Sequence, residues 1–110
     1  MMKVKSKVWI EKKGESIFGE GKAHLLQAIE KTGSISEAAR SMGISFRRAW
    51  SYITTMEKRL GFILVNKNRG GKGGGGSSLT EGAKGFLIRY EKLNKAVKSF
   101  ADKKFREIWK

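Results

Sequence analysis

"SEAARSMGISFRRAW", Ser36 to Trp50, decides the architecture, because it holds two helical patterns separated by a single glycine. Just ahead of it, Ser34 in "SISE" stands three residues before Glu37. This is the spacing of a capping box, in which serine and glutamate each satisfy a free backbone N–H of the other. A short helix over Ile35–Met42 follows, and Gly43 ends it. Ser45 then caps a further helix from Phe46 to about Leu60, whose Ala49, Ile53, Met56 and Leu60 form one apolar stripe. Helices joined by so short a turn cross steeply. Ala39 and Ala49 are small where the two must pack closely, and Gly43 sits at the turn between them.

Upstream, Val4, Ser6, Val8 and Ile10 alternate with Lys3, Lys5, Lys7 and Glu11, the period-two pattern of a half-buried strand with a lysine-guarded edge. "GESIFGEG" breaks that pattern, and from about Gly21 to Lys31 the residues Leu25, Leu26, Ala28 and Ile29 return at helical spacing. Downstream, "FILVNKN" reads as a strand, "RGGKGGGG" as a break and "SSLT" as a short returning strand. Thr80 caps a last helix over about 81–109. In it Ala83, Phe86, Tyr90, Leu93, Val97 and Phe100 recur at steps of three and four, until Lys104 interrupts the seam and Phe105, Ile108 and Trp109 resume it out of phase. No segment repeats another.

Composition narrows the chemistry. The chain has 110 residues, the size of one domain. Its 24 lysines and arginines against 10 acids give +14, which calls for a polyanionic partner. The excess spares residues 14–44, where acids slightly outnumber bases, so that part reads as scaffold. Without cysteine, and with His24 as the single histidine, a zinc site lacks its ligands, and the ten acids are scattered, several at helix caps or on exposed faces, so no cofactor or enzymatic activity is expected. No stretch approaches the ~18 apolar residues of a membrane span. "MMKVKSKVWIEKKG" also lacks the unbroken apolar core of a signal peptide. The expected setting is a prokaryotic cytoplasm, in association with the nucleoid.

The order helix, helix, tight turn, helix, strand, glycine-rich tip, strand is that of a winged helix-turn-helix: mainly α, with a small β-hairpin wing, a long C-terminal helix and an N-terminal strand. Arg47 and Arg48 then break a local rule. They stand in the first turn of the third helix, where the macrodipole disfavours cations by up to ~1 kcal/mol. Such conflicts mark function. The first turn of a recognition helix enters the major groove, and arginine pairs bidentately with guanine. The residues expected to contact DNA are Ser45, Phe46, Arg47, Arg48, Ser51, Tyr52, Thr55 and Lys67, with Arg69 and Lys72 from the glycine tract. That tract is no nucleotide-binding P-loop, since Gly73, not Ser or Thr, follows Lys72. Strand patterns on both sides favour a wing tip over a flexible linker. RNA recognition would call for a sheet with exposed aromatic rings, and Trp9 alone is a weak candidate. The alternatives to sequence-specific binding are non-specific DNA contact and a protein-interaction module.

"GSISEAARSMGISFRRAW" together with "ILVNKNRGGKGGGGSSLTEGAKGFL" closely resembles the amino-terminal DNA-binding domain of the ModE family of molybdate-responsive transcription regulators. More distantly, "SEAARSMGIS" and "SLTEGAKGF" resemble the winged helix of LysR-type regulators. The resemblance implies a homodimer on a palindromic operator, with Ser45 to Thr55 in the major groove and Asn68 to Gly76 as the wing. It also implies dimerisation through the leading strand and the helices flanking the motif. The seam of the last helix itself suits a mixed role, with Ala83 to Tyr90 mainly inside the domain and Leu93 to Phe100 across a twofold axis, so that Tyr90, Leu93, Val97 and Phe100 are the expected interface residues. Full-length members of that family continue into molybdate- or tungstate-binding domains, whereas this sequence stops at Lys110 after its last helix, so a separate molybdate-sensing protein is a candidate partner.

Overall fold

A computed structural model describes residues 1–67 and 76–110. The elements run β1 (Ile10–Lys12), β2 (Glu15–Phe18), α1 (Glu20–Thr32), α2 (Ile35–Ser41), α3 (Phe46–Leu60), β3 (Val65–Lys67), β4 (Ser77–Leu79) and α4 (Glu81–Ile108). The strands form two antiparallel hairpins, β1 with β2 and β3 with β4. In the second, Val65 stands opposite Leu79 and Lys67 opposite Ser77. Among the described residues no helix is long and apolar enough to cross a membrane.

The first hairpin corrects the expected leading strand. Regular pairing begins only at Ile10, and the segment read as a break supplies the partner strand. The turn is Lys13-Gly14, with φ of 52° and 80°. Positive φ at both central residues is the twist that suits a two-residue hairpin, and glycine at the second place makes it accessible. Val4, Val8 and Ile10 are nonetheless the partly buried members of the alternating row, while Ser6 is exposed.

Phe18 ends β2 fully buried, and the rings of Phe86 and Tyr90 meet it edge-on at centroid distances of 4.9 and 5.0 Å. Around it pack Leu25, Leu26 and Ile29 of α1, Ile53 and Met56 of α3, and Leu64 ahead of β3. Among the described residues no charged side chain is buried. α1 closes at Gly33, whose φ of 73° is the left-handed conformation favoured at a helix end, and its carbonyl accepts from Ser77 N at 2.7 Å. That bond ties β4 to the end of α1.

The helix-turn-helix forms as its caps dictate. Ser34 Oγ accepts from Glu37 N at 3.1 Å. Only this half of the capping box is made, because the Glu37 carboxylate turns to Arg40 at 3.3 Å and Ser34 N bonds instead to Thr32 Oγ1. Gly43 carries φ of 68° at the turn, and Ala39 and Ala49 are buried where α2 meets α3.

α4 divides into two halves. Ala83, Leu87 and Tyr90 are its buried residues, and beyond Tyr90 the helix leaves the core, which gives the molecule its 59 Å long dimension. Tyr90, expected at the junction of the inner and interface parts of the seam, is packed inside the domain. Its ring is 3% exposed and its hydroxyl donates to the Val8 carbonyl at 2.8 Å, fastening the N-terminal segment to α4.

Burial raises the pKa of the Tyr90 phenol, and the nearby Glu20 carboxylate adds to the rise. A group whose folded pKa is raised contributes its stability in full below the unfolded value and loses it as pH climbs through the folded one. Tyr90→Phe is thus expected to destabilise the fold by ~0.5–1.5 kcal/mol at neutral pH, the net worth of one hydrogen bond. In urea melts the gap between wild type and variant should narrow above the ordinary tyrosine value of 10.0. A gap that stays constant through alkaline pH would refute the assignment.

Candidate nucleic-acid interface

With Ala49, Ile53 and Met56 buried, the opposite face of α3 is set by geometry. At 100° per residue the outward row is Arg47, Ser51, Thr54 and Lys58, and all four are exposed. Thr55, the expected contact, is half-buried, whereas its neighbour Thr54 faces solvent with Oγ1 donating to the Ser51 carbonyl at 3.1 Å. The sequence held this signal, since steps of four, three and four from Arg47 run opposite the apolar stripe.

The other expected residues divide by what they already touch. Ser45 is exposed, but its hydroxyl caps α3 by accepting from Arg48 N at 3.1 Å. Arg48 Nε donates to the Tyr52 hydroxyl at 2.8 Å, with the guanidinium 5.7 Å from the Tyr52 ring centre. Arg47 makes no such bond among the described residues. No acid stands in the first turn of α3, so the helix dipole and two arginines leave that end uncompensated. Phe46 stacks on Trp50, with centroids 6.1 Å apart and planes 24° from parallel. The Lys67 ammonium sits 3.3 Å from the Trp50 ring centre, close enough for a cation–π contact between β3 and α3. Trp50 went unnoticed in the sequence as the link between helix and wing. Its place one step from the apolar stripe was the available sign. Arg69 and Lys72 lie outside the described residues, as does most of the expected wing from Asn68 to Gly76.

Lys67 is positioned from the far end of α3 as well. Glu57 Oε2 accepts from Leu64 N at 2.9 Å and Val65 N at 3.3 Å, and Thr80 closes the same corner by bonding through N to the Leu64 carbonyl and through Oγ1 to the Ile63 carbonyl. Leu64 and Val65 are buried, so Glu57→Ala strands two amides without water. The expected cost is ~1–3 kcal/mol in thermal or urea unfolding. A variant as stable as wild type would show that the two amides find other acceptors.

Not every cation faces outward for a ligand. Arg59 pairs with Glu15 at 3.0 Å and donates to the Ser16 carbonyl at 2.9 Å, bracing the first hairpin against the end of α3.

Residues 22–84 match the family model of bacterial regulatory helix-turn-helix proteins of the lysR family. The transcriptional regulator ModE of Yersinia pestis is 44% identical over 69 residues, which cover 63% of this chain and 26% of that protein. The molybdenum-pterin-binding protein MopB of Rhodobacter capsulatus is 38% identical over 79 residues, covering 72% of this chain and 29% of that one. The chain spans about a quarter to a third of the length of the curated relatives it matches. The crystal structure of the CbnR_DBD-DNA complex shares the fold at a TM-score of 0.62 and 17% identity, over 79% of this chain and 94% of that one. Matched over more than half its length and built on the same helix-turn-helix, the chain belongs to the bacterial regulatory helix-turn-helix proteins of the lysR family, as a ModE-like winged helix-turn-helix DNA-binding domain.

Proposed function

We propose that residues 1–110 form one domain that binds double-stranded DNA sequence-specifically as a homodimer on an inverted-repeat operator and regulates transcription. α3 lies in the major groove, with its outward row and Arg47 toward base edges, and the glycine-rich segment bearing Arg69 and Lys72 reaches the phosphates beside it. The carrying observation is the first turn of α3, where Arg47 is exposed and no acid offsets it. The +14 charge supplies the sequence-independent part of the affinity and makes it fall with salt.

The second half of α4 supports the dimer. Leu93 is 47% and Phe100 62% exposed on one helix face, with Val97 between them. Pairing that seam across a twofold axis sets two recognition helices ~34 Å apart, one turn of DNA. Molybdenum figures in the names of several relatives, and a separate molybdate-sensing protein is a candidate partner in a prokaryotic cytoplasm. The test is selection of bound sequences from a random duplex pool at near-physiological salt. An enriched inverted repeat supports the proposal, whereas salt-sensitive binding with no enrichment would leave non-specific DNA contact.

A further inference from the structure

Phe46 is a large apolar ring, 50% exposed, at the first position of α3, in a patch otherwise made of Arg47, Arg48 and Lys67. Its pose is held by the stack on Trp50, which the Lys67 ammonium covers in turn. The ring is not needed by the core, whose α3 contribution is Ala49, Ile53 and Met56. A cationic surface with one fixed apolar ring fits a partner that is polyanionic overall but presents an apolar group at that point. On the major-groove edge of a base pair that group is the 5-methyl of thymine, which Phe side chains contact.

We propose that Phe46 is a specificity-determining residue that selects thymine through its 5-methyl group. The inference rests on α3 occupying the major groove. An arginine at the same turn reads guanine by hydrogen bonds, and Phe46 adds a requirement that no hydrogen bond supplies. The wing side of the helix thereby takes part in discrimination through β3, since Lys67 and Trp50 hold the ring.

The experiment uses the duplex selected from the random pool and replaces its thymines by uracil one at a time, which removes the methyl and nothing else. Wild type is expected to lose about fourfold in affinity at one thymine of each half-site, the worth of burying one methyl-sized group. Phe46→Ala should be blind to uracil at that position while keeping its response elsewhere, and Phe46→Leu should retain most of the sensitivity. Equal uracil penalties in wild type and Phe46→Ala would overturn the proposal, as would a site at which uracil never matters. General weakening of Phe46→Ala with no thymine dependence would assign the ring to sugar packing and also overturn it. A pool that enriches no sequence would bring down the operator reading itself, and this proposal with it. Failure in the uracil scan alone would leave operator binding standing.

Discussion

Arg47→Ala is expected to weaken the dimer on its selected operator by ~2–6 kcal/mol, because each protomer loses a contact worth ~1–3 kcal/mol of base discrimination. The reason lies in what distinguishes the two adjacent arginines. Arg48 is tethered to the Tyr52 hydroxyl at 2.8 Å, whereas Arg47 is exposed on the outward row with Ser51 and Thr54. A guanidinium with no hydrogen-bond partner among the described residues keeps its fork of donors for a guanine edge. Its position at the electropositive end of α3 costs the fold up to ~1 kcal/mol, so removing it should slightly raise stability while it removes recognition. Anisotropy titrations on the selected and a scrambled duplex, at two salt concentrations, separate the cases. Loss confined to the selected duplex marks base readout. Equal loss on both reduces Arg47 to a phosphate contact, the outcome expected for Arg48→Ala.

The helix-turn-helix was legible because its signals are local. A serine before each helix, Gly43 at the turn and an apolar stripe three and four apart all act within a few residues, and α3 spans Phe46–Leu60 as the pattern implied. The first hairpin was missed for the opposite reason. "KKGE" is a good two-residue turn, but Glu15–Phe18 is too short to show alternation, and Ile17 and Phe18 are both buried, so no polar-out row exists. On α4 the seam through Phe86, Tyr90 and Leu93 runs unbroken across the point where the helix leaves the core. The core takes Ala83, Leu87 and Tyr90 on the 3.6-residue period, and only after Tyr90 does the helix present Leu93 to solvent. Periodicity marks an apolar face, not what covers it. Likewise the Phe46, Trp50 and Lys67 assembly joins residues of α3 and β3, and nothing in the spacing of one element could announce it.

Leu93→Asp tests what that exposed seam does, and its effect on operator binding should be the larger of the α4 substitutions. Leu93 lies past the last buried residue of α4, so the monomer core stays intact and unfolding should shift little. Across a twofold axis the change places two carboxylates where two leucines met, desolvating charges that have no partner there. Sedimentation is then expected to show monomers at concentrations where wild type is dimeric. Affinity for the full inverted repeat should fall by ~10²- to 10⁴-fold, since the second half-site no longer gains from the high local concentration that linkage provides. Affinity for an isolated half-site should be unchanged. That pairing of results separates a lost dimer from a damaged recognition helix, which would weaken both duplexes. Ser99→Asp puts the same charge off the seam and should leave the dimer in place. If Leu93→Asp sediments as wild type does, the exposed stripe serves some other contact and the two recognition helices must be brought together by another surface.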